Sequence, residues 1–150
     1  MRKTTIILIL VLSNILTYGQ VNYDSIHSFD FNKKTVLDYV KILPIKDTNE
    51  MKSHIIITLG IAGYGWIKDS DLDTLIKLID SKDKANCVVQ AISSSMPTNE
   101  ESTLGGQIMN LIDAYRFKKE YPYFLTDCSK NDEKRKYEIL KWWFDKNKYK

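Results

Sequence analysis

Few side chains in this sequence could carry chemistry, because its 150 residues include only two histidines and two cysteines. A Ser/His or Cys/His nucleophile site would have to use His27 or His54, and no nucleophile motif surrounds either one. His54 borders the apolar run Ile55-Ile56-Ile57, where a core or partly buried imidazole accounts for it. Zinc needs paired ligands at short spacing, which Cys87, Cys128 and the histidines do not provide. Glu100-Glu101 has the residue types of a glycosidase pair, but a place at a helix start, facing the positive end of the helix dipole, explains it as well. Asp69, Asp71 and Asp73 alternate as in a calcium loop, yet Thr74 stands where that loop needs glycine and Asp80 where it needs glutamate. Gly60, Gly63 and Gly65 form a glycine-rich turn without the Gly-Lys-Ser/Thr ending of a phosphate loop or the context of a dinucleotide fingerprint. The residues therefore predict no catalytic group, no metal site and no cofactor.

The elements that would position these residues read mostly as helices. Val36, Leu37, Val40 and Leu43 line one side of a helix over 33 to 43, which Pro44 stops. Asp47 and Glu50 resemble a capping box for a helix from 48 to about 59. Its β-branched end, Ile55 to Leu59, also reads as a strand; helix is favoured and the strand stays open. Leu72, Leu75, Ile76, Leu78 and Ile79 make a helix of 71 to 81, and Cys87, Val88, Ala91 and Ile92 suggest another over 85 to 94. Leu104, Ile108, Leu111, Ile112 and Tyr115 share one face of the next helix. Its start falls at Thr98 or Ser102, and Gly105-Gly106 near that start implies close approach of a neighbouring helix. Tyr121-Pro122 breaks the chain before a final helix over 132 to 146, whose buried arc takes Tyr137, Ile139, Leu140, Trp143 and Phe144 with Trp142 at its margin.

The first 19 residues have the pattern of a secretory signal peptide: Arg2-Lys3, an apolar run from Ile6 to Leu12, and small Thr17 and Gly19 before a cleavage point. That run is well short of the roughly 20 apolar residues a bilayer span needs, so no stable membrane anchor is predicted after cleavage. The mature chain, residues 20 to 150, has the size of a single domain, and a periplasmic or secreted location follows. Removing Arg2 and Lys3 from 22 basic residues leaves 20 against 19 acidic ones, so the electrostatic case for nucleic-acid binding disappears. Export would also place Cys87 and Cys128 in an oxidising compartment, which makes them a candidate disulfide; two separate buried thiols are the alternative.

Leu78-Ile79-Asp80 recurs as Leu111-Ile112-Asp113 after 33 residues, an offset in the range of helical repeats. From Asp71 to Phe144 the chain thus resembles the HEAT and armadillo class, and its last half also resembles uncharacterised secreted bacterial helical proteins with a Tyr-Pro break and a terminal Trp-Trp helix. The resemblance implies an all-α fold of stacked helical hairpins, about five to six helices after the signal peptide, and brings no catalytic residue with it. The expected function is a noncatalytic protein-interaction module, of which an inhibitor or immunity protein is a special case. Its partner would be another envelope or secreted protein, met through Trp66, Tyr121, Tyr123 and Trp142. The alternative is a small envelope hydrolase whose carboxylates meet only in the fold.

Overall fold

The run Ile55–Leu59 is a strand, and it lies second in a four-stranded sheet. The computed structural model describes residues 26–46, 54–97 and 101–148, and these form a mixed α/β fold rather than an all-α stack. In chain order the elements are β1 (Ile26–Asp30), α1 (Val36–Ile42), β2 (Ile55–Leu59), α2 (Leu72–Leu78), β3 (Lys84–Ala85) and β4 (Cys87–Gln90). After these come β5 (Ser102–Thr103), α3 (Leu104–Arg116), β6 (Thr126–Asp127) and α4 (Glu133–Asn147). The sheet order is β1-β2-β4-β6, with β1, β2 and β4 mutually parallel and β6 antiparallel to β4. β3 and β5 form a separate antiparallel pair. The signal peptide, the Asp47 to Glu50 cap, Thr98 and Glu100 lie outside the described residues.

Two expected helices are therefore corrected, and for one physical reason. A parallel strand covered on both faces loses the alternation of apolar and polar residues and reads as a continuous apolar run. Ile55-Ile56-Ile57 and Cys87-Val88-Val89 are such runs, and all four residues of β4 are buried. Ala91 and Ile92, which completed the helical spacing, lie in the turn after β4, closed by Ser93 N–H donating to the Gln90 carbonyl at 2.8 Å. The HEAT-like hairpin stack is corrected with them. Four α-helices are present among the described residues, and strands separate them along the chain. The two copies of Leu-Ile-Asp are not equivalent either: Leu78 ends α2 and Asp80 is exposed, whereas Leu111-Ile112-Asp113 is buried inside α3.

The helices pack on the face of the sheet that carries Phe29, Ile56 and Val88, where Val36, Tyr39, Leu72, Leu75, Ile108, Ile112 and Ile139 complete one apolar core. α1 begins at Val36 because Thr35 and Asp38 form a reciprocal capping box. The Thr35 hydroxyl bond, then Lys41, pulls the Asp38 carboxyl down to about 2. At its other end, Asn86 Nδ2 donates to the carbonyls of Ile42 and Leu43 at 3.0 and 3.2 Å. α3 is the central helix, buried from Leu104 to Ala114. The close approach at its start is made by the backbone that closes α2, by the Asn131 side chain and by the Ser129 backbone. A Cβ on Gly105 would lie 2.5 Å from the Ile79 carbonyl oxygen, and one on Gly106 would lie 2.4 Å from that of Ser129.

α4 is rotated from its expected phase. Ile139 is fully buried and Leu140, Trp142 and Trp143 pack against the core, while Tyr137 and Phe144 are exposed. Trp142 is held from both sides, with the Tyr115 ring 6.0 Å away and the Arg116 guanidinium over its own ring. Antiparallel register places Cys87 opposite Cys128, one step beyond the Val88 and Asp127 pair. The two are disulfide-bonded with Cα atoms 4.6 Å apart. Closing a loop of 41 residues stabilises the fold by about 4 kcal/mol in the chain-entropy model.

Candidate functional site

In α/β sheets ligands gather outside the carboxyl ends of the parallel strands, and here β1, β2 and β4 end along one edge where antiparallel β6 begins. Each chain segment leaving that edge is fixed locally. After β2, Gly60 and Gly65 take left-handed backbone, with φ of 78° and 94°, and Trp66 N–H closes a turn onto the Gly63 carbonyl at 3.1 Å. Ala62 and Tyr121 exchange two backbone hydrogen bonds, which ties this glycine loop to the segment entering β6. At the end of β4, the Gln90 side chain donates to the carbonyls of Pro122 and Phe124 at 3.1 and 2.5 Å. The Tyr121-Pro122 peptide is cis.

This edge leaves apolar side chains in water. Leu59 ends β2 and Ile61 follows it, Ile92 and Met96 follow β4, and Leu125 precedes β6; Ile92 is 79% exposed. Tyr64, on the glycine loop, is 64% exposed. Beside it lies a shallow, open recess of about 10 Å³, room for about one water molecule, walled by Tyr64, Trp66, Tyr115 and Tyr121 with Lys119 at the rim.

The four predicted surface aromatics are not all at the surface. Trp66 and Tyr121 come together, stacked at 14° with centroids 6.1 Å apart, and Trp66 Nε1 donates to the Lys34 carbonyl at 2.9 Å. Tyr121 is buried, and its hydroxyl meets that of Tyr39 at 3.1 Å. Burial pushes both hydroxyls up from the ordinary tyrosine range. Tyr123 is partly exposed and its hydroxyl accepts from Arg135 Nη2 at 3.3 Å. Trp142 sits on α4 behind Tyr115. Sequence reasoning missed Leu59, Ile61, Ile92, Met96 and Leu125, because their exposure follows from where strands end; assigning β2 and β4 as strands was the signal that would have found them.

The groups with catalytic potential are engaged elsewhere. Asp113 lies in a seam between α3 and α4, where Arg116 Nη1 donates to its Oδ1 at 2.8 Å and Arg135 Nε to its Oδ2 at 2.7 Å. Asp127 Oδ2 accepts from Gln107 Nε2, Asn110 Nδ2 and the Ser129 backbone at 2.9, 2.7 and 3.0 Å, and its Oδ1 accepts from Ser129 Oγ at 2.7 Å. Asn110 also accepts from Arg135 Nη2 at 2.9 Å, which joins the two clusters. Gln107 Oε1 and Arg116 Nε are buried in this seam without a hydrogen-bond partner. His27 is exposed on β1 and His54 stands just before β2, both toward the amino ends of the strands. Glu101 is exposed, and the hydrogen bond from Lys84 at 2.7 Å holds its carboxyl below the usual range. Asp71 accepts from the Lys68 backbone at 2.8 Å at the turn leading into α2, a capping role. Asp69 accepts from the Tyr115 hydroxyl at 2.9 Å and pairs with Lys146. No three His, Cys, Asp or Glu residues among those described cluster as metal ligands, and no helix among them is long and apolar enough to cross a membrane.

No family model matches this chain, and neither the curated proteins nor the solved structures include a match.

Proposed function

We propose that the chain is an exported, noncatalytic protein-interaction domain that presents the carboxyl edge of its sheet to another envelope or secreted protein, in the manner of an inhibitor or immunity protein. The observation that carries this reading is the set of apolar side chains Leu59, Ile61, Ile92, Met96 and Leu125 left exposed along that edge. Apolar groups exposed along one sheet edge favour association, because covering them contributes about 25 cal/mol for each Å² removed from water. Export is supported by the charged and apolar start of the sequence and by the Cys87 to Cys128 bond, which suits an oxidising compartment.

A hydrolase would need two carboxylates facing a cleft. Asp113 and Asp127 are instead saturated by donors from their own chain. The test is capture from envelope extract with the mature chain and with an Ile92→Asp, Leu125→Asp variant. A stoichiometric partner held by the first and lost from the second, with both folded, is expected. A partner retained equally by both would contradict the reading.

A further inference from the structure

The two flanks of the four-stranded sheet are guarded differently. On one side the outermost strand, β6, has only two residues, a shortness that keeps a sheet from recruiting another strand. On the other side β1 runs for five residues in unbroken register with β2 and holds no proline, no lysine and no bulge, the devices that usually block such a flank. The ladder fixes which of its backbone groups are free. Cys87 N–H donates to the His54 carbonyl at 2.9 Å and Ala91 N–H to that of Thr58 at 3.1 Å, so the even-numbered residues of β2 bond to β4 and the odd-numbered ones turn to β1. A parallel strand bonds to the neighbours of its register partner, and Ile57 stands opposite Ser28, so His27 and Phe29 take those bonds. The N–H and C=O of Ser28 therefore point outward, with those of Ile26 and Asp30 on either side. Among the described residues, the backbone bond to this flank is from Lys33 N–H to the Asp30 carbonyl at 3.3 Å. His27 and Ser28 are exposed, and the Asp30 carboxylate pairs with Lys33 at 3.2 Å.

Independently of the interaction reading above, we infer that this flank pairs with β1 of a second copy of the chain, antiparallel about a two-fold axis at Ser28, so that the two sheets become one continuous sheet. An extended strand is the occupant that a row of free N–H and C=O groups specifies, and the charges favour self-pairing. With Ser28 opposite Ser28 of the second copy, Asp30 falls opposite Ile26 and His27 opposite Phe29, so no like charges meet. The central pair is of the doubly hydrogen-bonded kind, each Ser28 N–H donating to the other's carbonyl. Such a contact is isologous and closes at two copies.

The test is sedimentation of the mature chain beside a Ser28→Pro variant, with cysteine cross-linking as the second arm. Proline suits an outer strand where the N–H faces outward, so it removes both central hydrogen bonds without touching the β1 to β2 ladder. The wild-type chain should sediment as a dimer, and Ser28→Pro should weaken that dimer about tenfold or more at an unchanged urea midpoint. Ser28→Lys, which sets like charges face to face across the axis, should do the same and replaces the proline variant if proline lowers the midpoint. Directly opposed residues in such a pair have Cα atoms about 5.5 Å apart, within disulfide reach, so Ser28→Cys should cross-link into a reducible dimer under mild oxidation. His27→Cys, whose counterpart lies diagonally across at about 7 to 8 Å, should not. A monomeric wild-type chain, a dimer that both Ser28 variants leave intact, or equal cross-linking from positions 27 and 28 would overturn the inference. So would a monomer that loses a captured partner on Ser28→Pro, in favour of a strand supplied by that partner. Failure here leaves the interaction reading standing, since Ile92 and Leu125 lie beside the ends of β4 and β6 and not on this flank.

Discussion

The α3 to α4 seam and the carboxyl edge of the sheet stand in contrast. In the seam, charge and hydrogen bonding are consumed internally: Asp113 is divided between two guanidinium groups and Asp127 accepts from three residues. At the edge the fold leaves apolar side chains exposed beside an open glycine loop. Ionisable groups concentrated where the chain is most buried serve the fold. Apolar groups left exposed where strands end contribute little to the fold, and burial against a second molecule would favour association. Residue type alone would have assigned these roles the other way round.

The largest effect should come from breaking the seam. Asp113→Ala leaves Arg116 and Arg135, with side chains 13% and 26% exposed, facing each other without their shared carboxylate. The loss should be about 3 kcal/mol, the low end for a broken buried pair because Arg135 reaches solvent, read as a lower urea midpoint. Removing the exposed Lys84 to Glu101 pair should change stability by less than about 1 kcal/mol. A loss on Asp113→Ala no greater than for that surface pair would show that the seam does not hold the fold.

Glycines sharpen the contrast next. Gly106→Ala drives a methyl against the Ser129 backbone, which cannot swing aside as a side chain can, and should destabilise by about 2 kcal/mol. Gly63→Ala should stay within about 0.5 kcal/mol, since its Cβ points into open space. Thermal unfolding of the two variants side by side checks both, and equal losses would erase the distinction.

Beneath the edge, the Tyr39 and Tyr121 hydroxyls set an alkaline limit. Burial raises both in the folded chain, so the unfolded chain releases these protons first as pH climbs past about 10. Their contribution is fully present below pH 10 and is lost as pH rises from there toward the folded values. The Tyr39→Phe, Tyr121→Phe double variant should flatten that fall and change stability at pH 7 by less than about 1 kcal/mol, because both partners of the bond leave together. Urea midpoints between pH 8 and 11 measure it, and an unchanged alkaline slope would contradict the assignment.

Legibility in the sequence divides along the same line. Leu72 to Leu78 and Leu104 to Arg116 declared themselves because a helix that packs one face repeats near 3.6 residues. The period survived in α4 even where its phase did not. Tyr137 and Phe144 are apolar enough to pull a helical wheel toward themselves, yet Arg135 and Lys136 occupy the inward side because they meet Asp113 and Asp80. β4 was hidden by being buried on both faces and β2 by its unbroken run of isoleucines, and β3, β5 and β6, at two residues each, are shorter than any pattern. Trp66 and Tyr121 stood out by type. Ile92 and Leu125 could not, since an exposed apolar residue is recognised only after the strand beside it has been placed.

The central claim is that the edge, and not the other exposed apolar positions, meets the partner. Ile92 on the edge and Tyr137 on α4 are comparably exposed, at 79% and 66%. Replacing each with the photoreactive p-benzoylphenylalanine in cells that make the chain, followed by illumination, tests the claim directly. The account expects a discrete cross-linked partner from position 92 and none from position 137. A cross-link from 137 with none from 92 would contradict it.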